Sequence, residues 1–364
     1  MNFLKNIFGK KEEPIKSYTD FWNWFQKNER FFFKAVKENA NIEKDFFSKL
    51  SLKLNELKDG FYYLTGMCND KTAELVFTAE GAIKNIIFVE ELVNAAPKID
   101  GWLFTALKPA LDINKVYIEM AGFKFNMENL SFYANSHEDF PDEIDISIVH
   151  NDLNAENKSA ITQGTFIFLD NFLGELNFAV TIDLANVTGK ENNQKELIPI
   201  EKLKDYLVWR QKEFIEKYEG SRYNTDDDTY SILEAKLKNG NPLIAAINTD
   251  LLRWENKASH PWILKVEIKY YGADNNGMPG NEIYKLLAVL ENDLSGKLKD
   301  FEGYLNIGRQ TADSAREIYF ACKDFRKPSR VMHDIAGKYS SKFSITYDVY
   351  KDKYWQSFDH FVKS

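Results

Sequence analysis

From Leu264 onward the chain changes its apolar period, and that change constrains the fold more than any other feature. Leu264, Val266, Ile268 and Tyr270 alternate with Lys265, Glu267 and Lys269, the period of two that marks a strand with one buried face. Beyond the loop GADNNGMPG, Ile283, Leu287, Leu290, Leu294 and Leu298 recur every three or four residues. Glu282, Lys285, Glu291 and Asp293 lie off that face, so a helix follows. Tyr304 to Arg309 and Arg316 to Cys322 read as paired strands turned by Thr311-Ala312-Asp313-Ser314. Pro328 then opens a helix with Val331, Ile335 and Tyr339, and Phe343, Ile345, Tyr347 and Val349 form a last strand. Strand, helix, strand, strand, helix, strand predicts an α+β, ferredoxin-like domain (split βαβ, βαββαβ). An extra hairpin precedes it, Tyr230 to Leu237 and Leu243 to Leu252 around Asn239-Gly240-Asn241. Two helices on one sheet face leave the other needing cover, from that hairpin, from the N-terminal half or from a second copy of the chain.

The N-terminal half reads as a second α+β region. Phe21, Phe25, Phe32 and Val36 stripe a helix with Thr19 as its cap, and Ile42, Phe46, Leu50, Leu54 and Leu57 stripe another that stops at Gly60. A hairpin follows, Phe61 to Met67 and Thr72 to Thr78, then a short helix from Ile87 to Ala96. Strands are expected at Trp102 to Leu107, Val116 to Phe125, Leu130 to Ala134 and Ile144 to His150, and a helix reaching Phe172. Leu176, Phe178, Val180, Ile182 and Leu184 alternate as a further strand. A polar loop runs from Ala185 to Ile198, and a helix from Glu201 to Tyr218. The division is therefore residues 1–16 as a flexible N-terminus, 17–220 as an N-terminal α+β domain, 221–229 as a linker, and 230–364 as the C-terminal domain.

Bulk properties narrow the function classes. Acidic residues outnumber basic ones, 55 to 47, for a net charge of −8, which opposes phosphate-driven binding of nucleic acid. The apolar stretch from Ile161 to Ile182 is broken by Gln163, Asp170, Asn171 and Glu175, so no membrane span of ~20 apolar residues is expected. Residues 3–11, with Phe3, Leu4, Ile7 and Phe8 beside Lys5, Lys10 and Lys11, form either a frayed end or a short docking peptide. Cys68 and Cys322 stand far apart with no CxxC pair, which fits reduced thiols in the cytoplasm.

One family resemblance rests on specific residues. The segment from about Asn241 to Phe361 resembles the domain of unknown function family 695 (DUF695). It carries HPWILKVEIKY (His260 to Tyr270), the NGMP turn (Asn276 to Pro279), Glu291 in LAVLENDL, GRQTADSAREIYF (Gly308 to Phe320) and Trp355 in DKYWQSF. It departs at Ser314-Ala315, where the family's turn reads Asn-Gly. The resemblance implies a soluble bacterial protein of no established activity. In some such proteins a similar domain sits beside one resembling the type-B regulators of ribonuclease E activity, which bind a protein.

The search for chemistry finds no catalytic signature. The five histidines lack HxxxH, HxH and HExxH spacing, so no metal and no cofactor are expected, and no GxSxG elbow is present. GADNNGMPG reads as a turn, with an anion cradle as its sharper alternative. The acidic group Glu138, Asp139, Asp142, Glu143 and Asp145, and Asp226, Asp227 and Asp228, read as solvated loops or as a negative patch that steers a basic partner such as a nuclease or toxin. Arg309 and Arg316 flank a short turn. They either pair with carboxylates such as Glu291 or Glu317, or converge with Tyr319 and Glu291 on a small anion. Two functions follow: a non-catalytic protein-binding or regulatory module, which is favoured, and an enzyme or sensor of a small anionic ligand at the Arg309/Arg316 hairpin.

Overall fold

The computed structural model describes residues 14–190 and 195–362. The N-terminal docking peptide expected at 3–11 lies outside the described residues. The chain divides into two compact units, one ending at Pro109 and the other beginning at Ala110. Its content is mixed helix and strand, α+β in class.

The first unit is built on aromatic residues. Helix α1 (Tyr18–Glu38) is capped by Ser17, whose hydroxyl accepts from Asp20 N, rather than by the expected Thr19. Residues Glu43–Phe47 wind as a π-helical turn into α2 (Ser48–Leu57). Strands β1 (Tyr62–Asn69) and β2 (Thr72–Thr78) form a hairpin, α3 (Ile83–Asn94) crosses over, and β3 (Trp102–Ala106) joins β2 in parallel. The α1 stripe packs on this sheet, with ring centroids 4.5 Å apart for Trp22–Phe104 and 5.1 Å for Phe25–Trp102. Buried Trp22 donates its indole N–H to Leu92 O at 2.7 Å.

The second unit opens with the small hairpin β4 (Ile118–Met120) and β5 (Phe123–Phe125), then β6 (Leu130–Asn135) and β7 (Asp145–His150). Helices α4 (Lys158–Leu173) and α5 (Glu175–Thr181) lead to β8 (Leu184–Gly189), and β9 (Ile198–Pro199) precedes α6 (Leu203–Tyr218). Two expectations fail here. The alternation at 176–184 is helical through Thr181, and the first residues of the expected polar loop are strand β8. The reason is topological: β8 pairs with β7 in parallel, and a parallel neighbour needs a crossover, which α4 and α5 provide. Every residue of β7 is buried, and Ile146, Ile148, Phe168, Leu169, Phe172, Leu203 and Leu207 share one core.

The rest of the unit is a six-stranded antiparallel sheet. Its strands are β10 (Tyr230–Lys236), β11 (Pro242–Asn248), β12 (Trp262–Lys269), β13 (Tyr304–Ala312), β14 (Ala315–Cys322) and β15 (Ser344–Lys351), in spatial order β10-β11-β13-β14-β12-β15. Helix α7 (Asn281–Lys297) links β12 to β13 and α8 (Arg326–Tyr339) links β14 to β15. Lys338 joins these helices by pairing with Asp293 at 2.6 Å. The opposite sheet face is closed by Leu251, Leu252, Trp355, Phe358 and Phe361, the last within α9 (Asp359–Val362), over Ala245, Ile247, Ile263, Leu305 and Ala321. The segment 221–229, expected as a linker, lies inside this unit: Thr225 donates twice to Asp300 (3.0 and 3.1 Å), and Asp228 accepts from Tyr223 and Asn248.

Candidate functional site

The two arginines meet one carboxylate. Cross-strand register sets Arg309 opposite Ile318 and Arg316 opposite Thr311, so both side chains leave the sheet on the face that carries α7. There Glu291 bridges them, Oε2 to Arg309 Nη1 at 2.8 Å and Oε1 to Arg316 Nη1 at 2.5 Å. Arg316 Nε also donates to Thr311 Oγ1 at 3.0 Å, and its guanidinium lies 5.6 Å from the Tyr284 ring centroid. Arg316 is buried and its fork is engaged, while Arg309 keeps part of its guanidinium in water.

Tyr319 does not join them. Three residues past Arg316 on a strand is the opposite face, and there the Tyr319 hydroxyl donates to Glu317, which also takes Lys265 at 2.7 Å and the Gln310 amide. Burial pushes the Glu317 carboxyl up, but these donors outweigh it and hold it below the usual range. Of the four candidate residues, Glu291, Arg309 and Arg316 assemble on one side of the sheet and Tyr319 belongs to a separate cluster. What the first three do chemically is pin α7 to the β13–β14 hairpin.

The glycine-rich loop has a second partner. The carbonyl of Gly277 (φ +82°) accepts from both Tyr270 OH, at 3.0 Å, and Ser314 N, at 2.8 Å, and a Cβ there would meet Asp313 Cα at 2.8 Å. The β13–β14 connection is a two-residue turn with Asp313 (φ 44°) and Ser314 (φ 63°) both left-handed, the geometry that Asn-Gly adopts most readily. Asp274 and Glu282 line the hollow beside this loop, and two carboxylates there disfavour the anion-cradle alternative.

A polar cleft of about 430 Å³ forms where β15 runs out against the β7–β8 side of the same unit. Lys351 Nζ donates to Asp183 Oδ1 at 2.8 Å and to the carbonyls of Val180 and Thr181 at 2.8 and 3.1 Å. Lys353 Nζ reaches Asp183 Oδ2 at 2.7 Å and Asp142 O at 2.6 Å, and Asp183 Oδ2 also accepts from Ile144 N. Burial lowers the Lys351 ammonium to about 8 despite Asp183, and burial with the Asp183 charge raises Glu143. Asp142 is driven up by burial, yet the hydroxyls of Tyr354 and Tyr218 and the Lys217 ammonium hold it down. The expected solvated acidic loop is thus corrected at its centre: Asp142 and Asp145 are bonded inward, Asp145 to His137 at 2.8 Å. Lys351, Lys353 and Asp183 were not singled out in the sequence, where no local pattern marks them.

No group of three His, Cys, Asp or Glu among the described residues is placed to hold a metal ion. No helix of the described residues is long and apolar enough to cross a membrane. His260 is fully buried beside Trp254, and burial together with the Lys323 charge lowers its imidazole to about 3. Its carbonyl accepts Trp355 Nε1 at 3.0 Å. Residues 235–362 match the model of a family of unknown function, DUF695. Within that span the motif residues touch one another: the NGMP turn meets Asp313 and Ser314, Glu291 meets both arginines, and His260 meets Trp355. No curated protein and no solved structure matches the chain.

Proposed function

We propose that the protein is a non-catalytic protein-binding or regulatory module that presents α6 to a basic partner. The observation that carries this reading is the sorting of side chains around that helix. Leu203 and Leu207 face the core, whereas Val208, Trp209 and Ile215 are 64%, 53% and 66% exposed. Three of the four cations of α6 bond to groups outside the helix, Lys204 to Leu111 O, Arg210 to Pro141 O and Lys217 to Asp142, while Lys212 stays exposed and pairs with Glu216 at 3.7 Å. Asp205, Glu213, Glu216 and Glu219 stay outside. Exposed apolar residues that include a tryptophan, interleaved with four carboxylates against the one outward cation Lys212, suit a partner with apolar contacts and an excess of lysine or arginine. The engagement of Arg309, Arg316, Lys351 and Lys353 by internal acceptors supports binding over catalysis at those positions.

The strand order β13-β14-β12-β15, with helices in the two crossovers, supports a ferredoxin-like arrangement for residues 262–351, with β10 and β11 as an added wing. The free thiols of Cys68 and Cys322 fit a reducing bacterial cytoplasm. The test is capture from a native lysate by the full chain, and by Trp209→Ala/Ile215→Glu, with retained proteins identified by mass. A basic protein held by the parent chain, released by salt and lost with the double variant is expected. Identical captures by both chains would refute the reading.

A further inference from the structure

We propose that two copies of this chain associate through β10, antiparallel and about a two-fold axis at Ile232, joining their sheets edge to edge. The inference goes beyond the α6 face and stands or falls separately from it.

Strand β10 is an outer strand of the six-stranded sheet, and its outward backbone is unguarded. Its seven pairings with β11 run without a bulge, and Thr229–Thr249 and Leu237–Asn241 bracket them as hydrogen-bonded pairs. Because hydrogen-bonded and non-hydrogen-bonded pairs alternate, Ser231, Leu233 and Ala235 bond inward. The N–H and C=O of Tyr230, Ile232, Glu234 and Lys236 point away from the sheet, and among the described residues no backbone group meets them. Edge strands are ordinarily blunted by proline, by bulges, by charged side chains or by a covering loop, and of these β10 has only the charges of Glu234 and Lys236 near its end.

The side chains argue for a second copy as the occupant. Ile232 and Tyr230 are 63% and 46% exposed, on the same sheet face. With Ile232 opposite itself, Tyr230 faces Glu234 of the partner subunit, and Asp228 comes opposite Lys236 of the partner subunit. Apolar contact sits on the axis, and at each flank Lys236 comes opposite Asp228, a carboxylate that Tyr223 and Asn248 of its own chain also hold. Shifting the axis to Glu234 would bring two carboxylates face to face, so the charge pattern disfavours that register. A single strand pair lies at the small end of interface sizes, so the association is reversible and concentration-dependent.

The test uses the full chain in sedimentation velocity from low to high micromolar concentration, with circular dichroism as the folding control. A monomer–dimer equilibrium is expected. Ile232→Lys, an exposed position that sets two ammonium groups on the axis, should weaken it at least tenfold without changing the spectrum. Register is read by disulfide capture in a Cys68→Ser background with glutathione disulfide as oxidant: Ile232→Cys should cross-link and Glu234→Cys should not. A chain that stays monomeric throughout overturns the proposal and leaves the edge to an extended peptide of another protein. A dimer indifferent to Ile232→Lys overturns the site, and equal cross-linking at 232 and 234 overturns the register.

Discussion

Acidification should destabilise the second unit through His260 before any of its lowered carboxylates titrate. The imidazole is fully buried, and among the described residues its only polar contact is with Ser259 Oγ at 2.8 Å and Nε2 has no partner. The folded chain therefore takes up the proton near pH 3, against 6.5 for an ordinary histidine. Between those values the unfolded chain binds more protons than the folded one, so stability rises with pH and is lost as pH falls below about 6.5. At pH 5 the protonation of the unfolded chain is about 1.5 pH units advanced, and at about 1.4 kcal/mol per unit the loss from pH 7 is about 2 kcal/mol. The assay is urea denaturation at pH 7, 6 and 5 of the parent chain and of His260→Gln, which keeps a polar side chain that cannot titrate. Because two compact units can unfold separately, the transition followed is that of the second unit, reported by Trp254, Trp262 and Trp355. The parent should lose about 2 kcal/mol more than the variant between pH 7 and 5. Parallel losses in the two chains would refute the reasoning, whatever the offset between them.

Three further perturbations follow from the geometry. Glu291→Ala strands the buried Arg316 guanidinium and should cost roughly 3–5 kcal/mol in urea denaturation, whereas Arg309→Ala, at the solvated end of the same cluster, should cost under about 1 kcal/mol. Gly308 has φ +140°, and a Cβ there would meet Ala246 O at 2.3 Å, so Gly308→Ala should lower stability by roughly 1–3 kcal/mol and raise amide exchange in β11. Lys351 has a folded value near 8, below the ordinary 10.5, so its burial costs stability at neutral pH and that cost fades as pH rises from about 8 to 10.5. The parent chain should gain stability over that interval relative to Lys351→Met, and a flat difference between the two would contradict the assignment.

What could be read from the sequence was what short-range periodicity controls. The alternation at Leu264–Tyr270 and the helical stripe from Ile283 to Leu298 located β12 and α7, and Asn239-Gly240 located the β10–β11 hairpin. The stretch 176–184 was misread because alternating apolar residues fit both periods over so short a span, and only the parallel partner β7 decides between them. Parity could have been used further. Arg316 and Tyr319 are an odd number of residues apart on one strand, which alone separates them, while Glu291 could be placed against both arginines only once α7 was laid on the sheet. Lys351, Lys353 and Asp183 carried no signal, since their meeting depends on how β15 ends against a segment some 170 positions earlier.

The same reasoning explains why the family's motif residues need no shared chemistry to account for their spacing. Gly277 fits its close approach to Asp313 because a side chain would strike backbone, and its carbonyl then holds Tyr270 and Ser314. Gly308 lets β13 approach β11, and Glu291 neutralises an arginine that the sheet buries. Each residue answers a packing or charge problem posed by another in the group, so the group holds together as a unit of structure. On the two proposals made above, a partner would meet what this unit leaves unsatisfied: the outward groups of β10 and, in the preceding part of the same unit, the exposed apolar residues of α6. Substitutions inside the motif should accordingly move stability, and substitutions at Ile232 or Trp209 should move association alone.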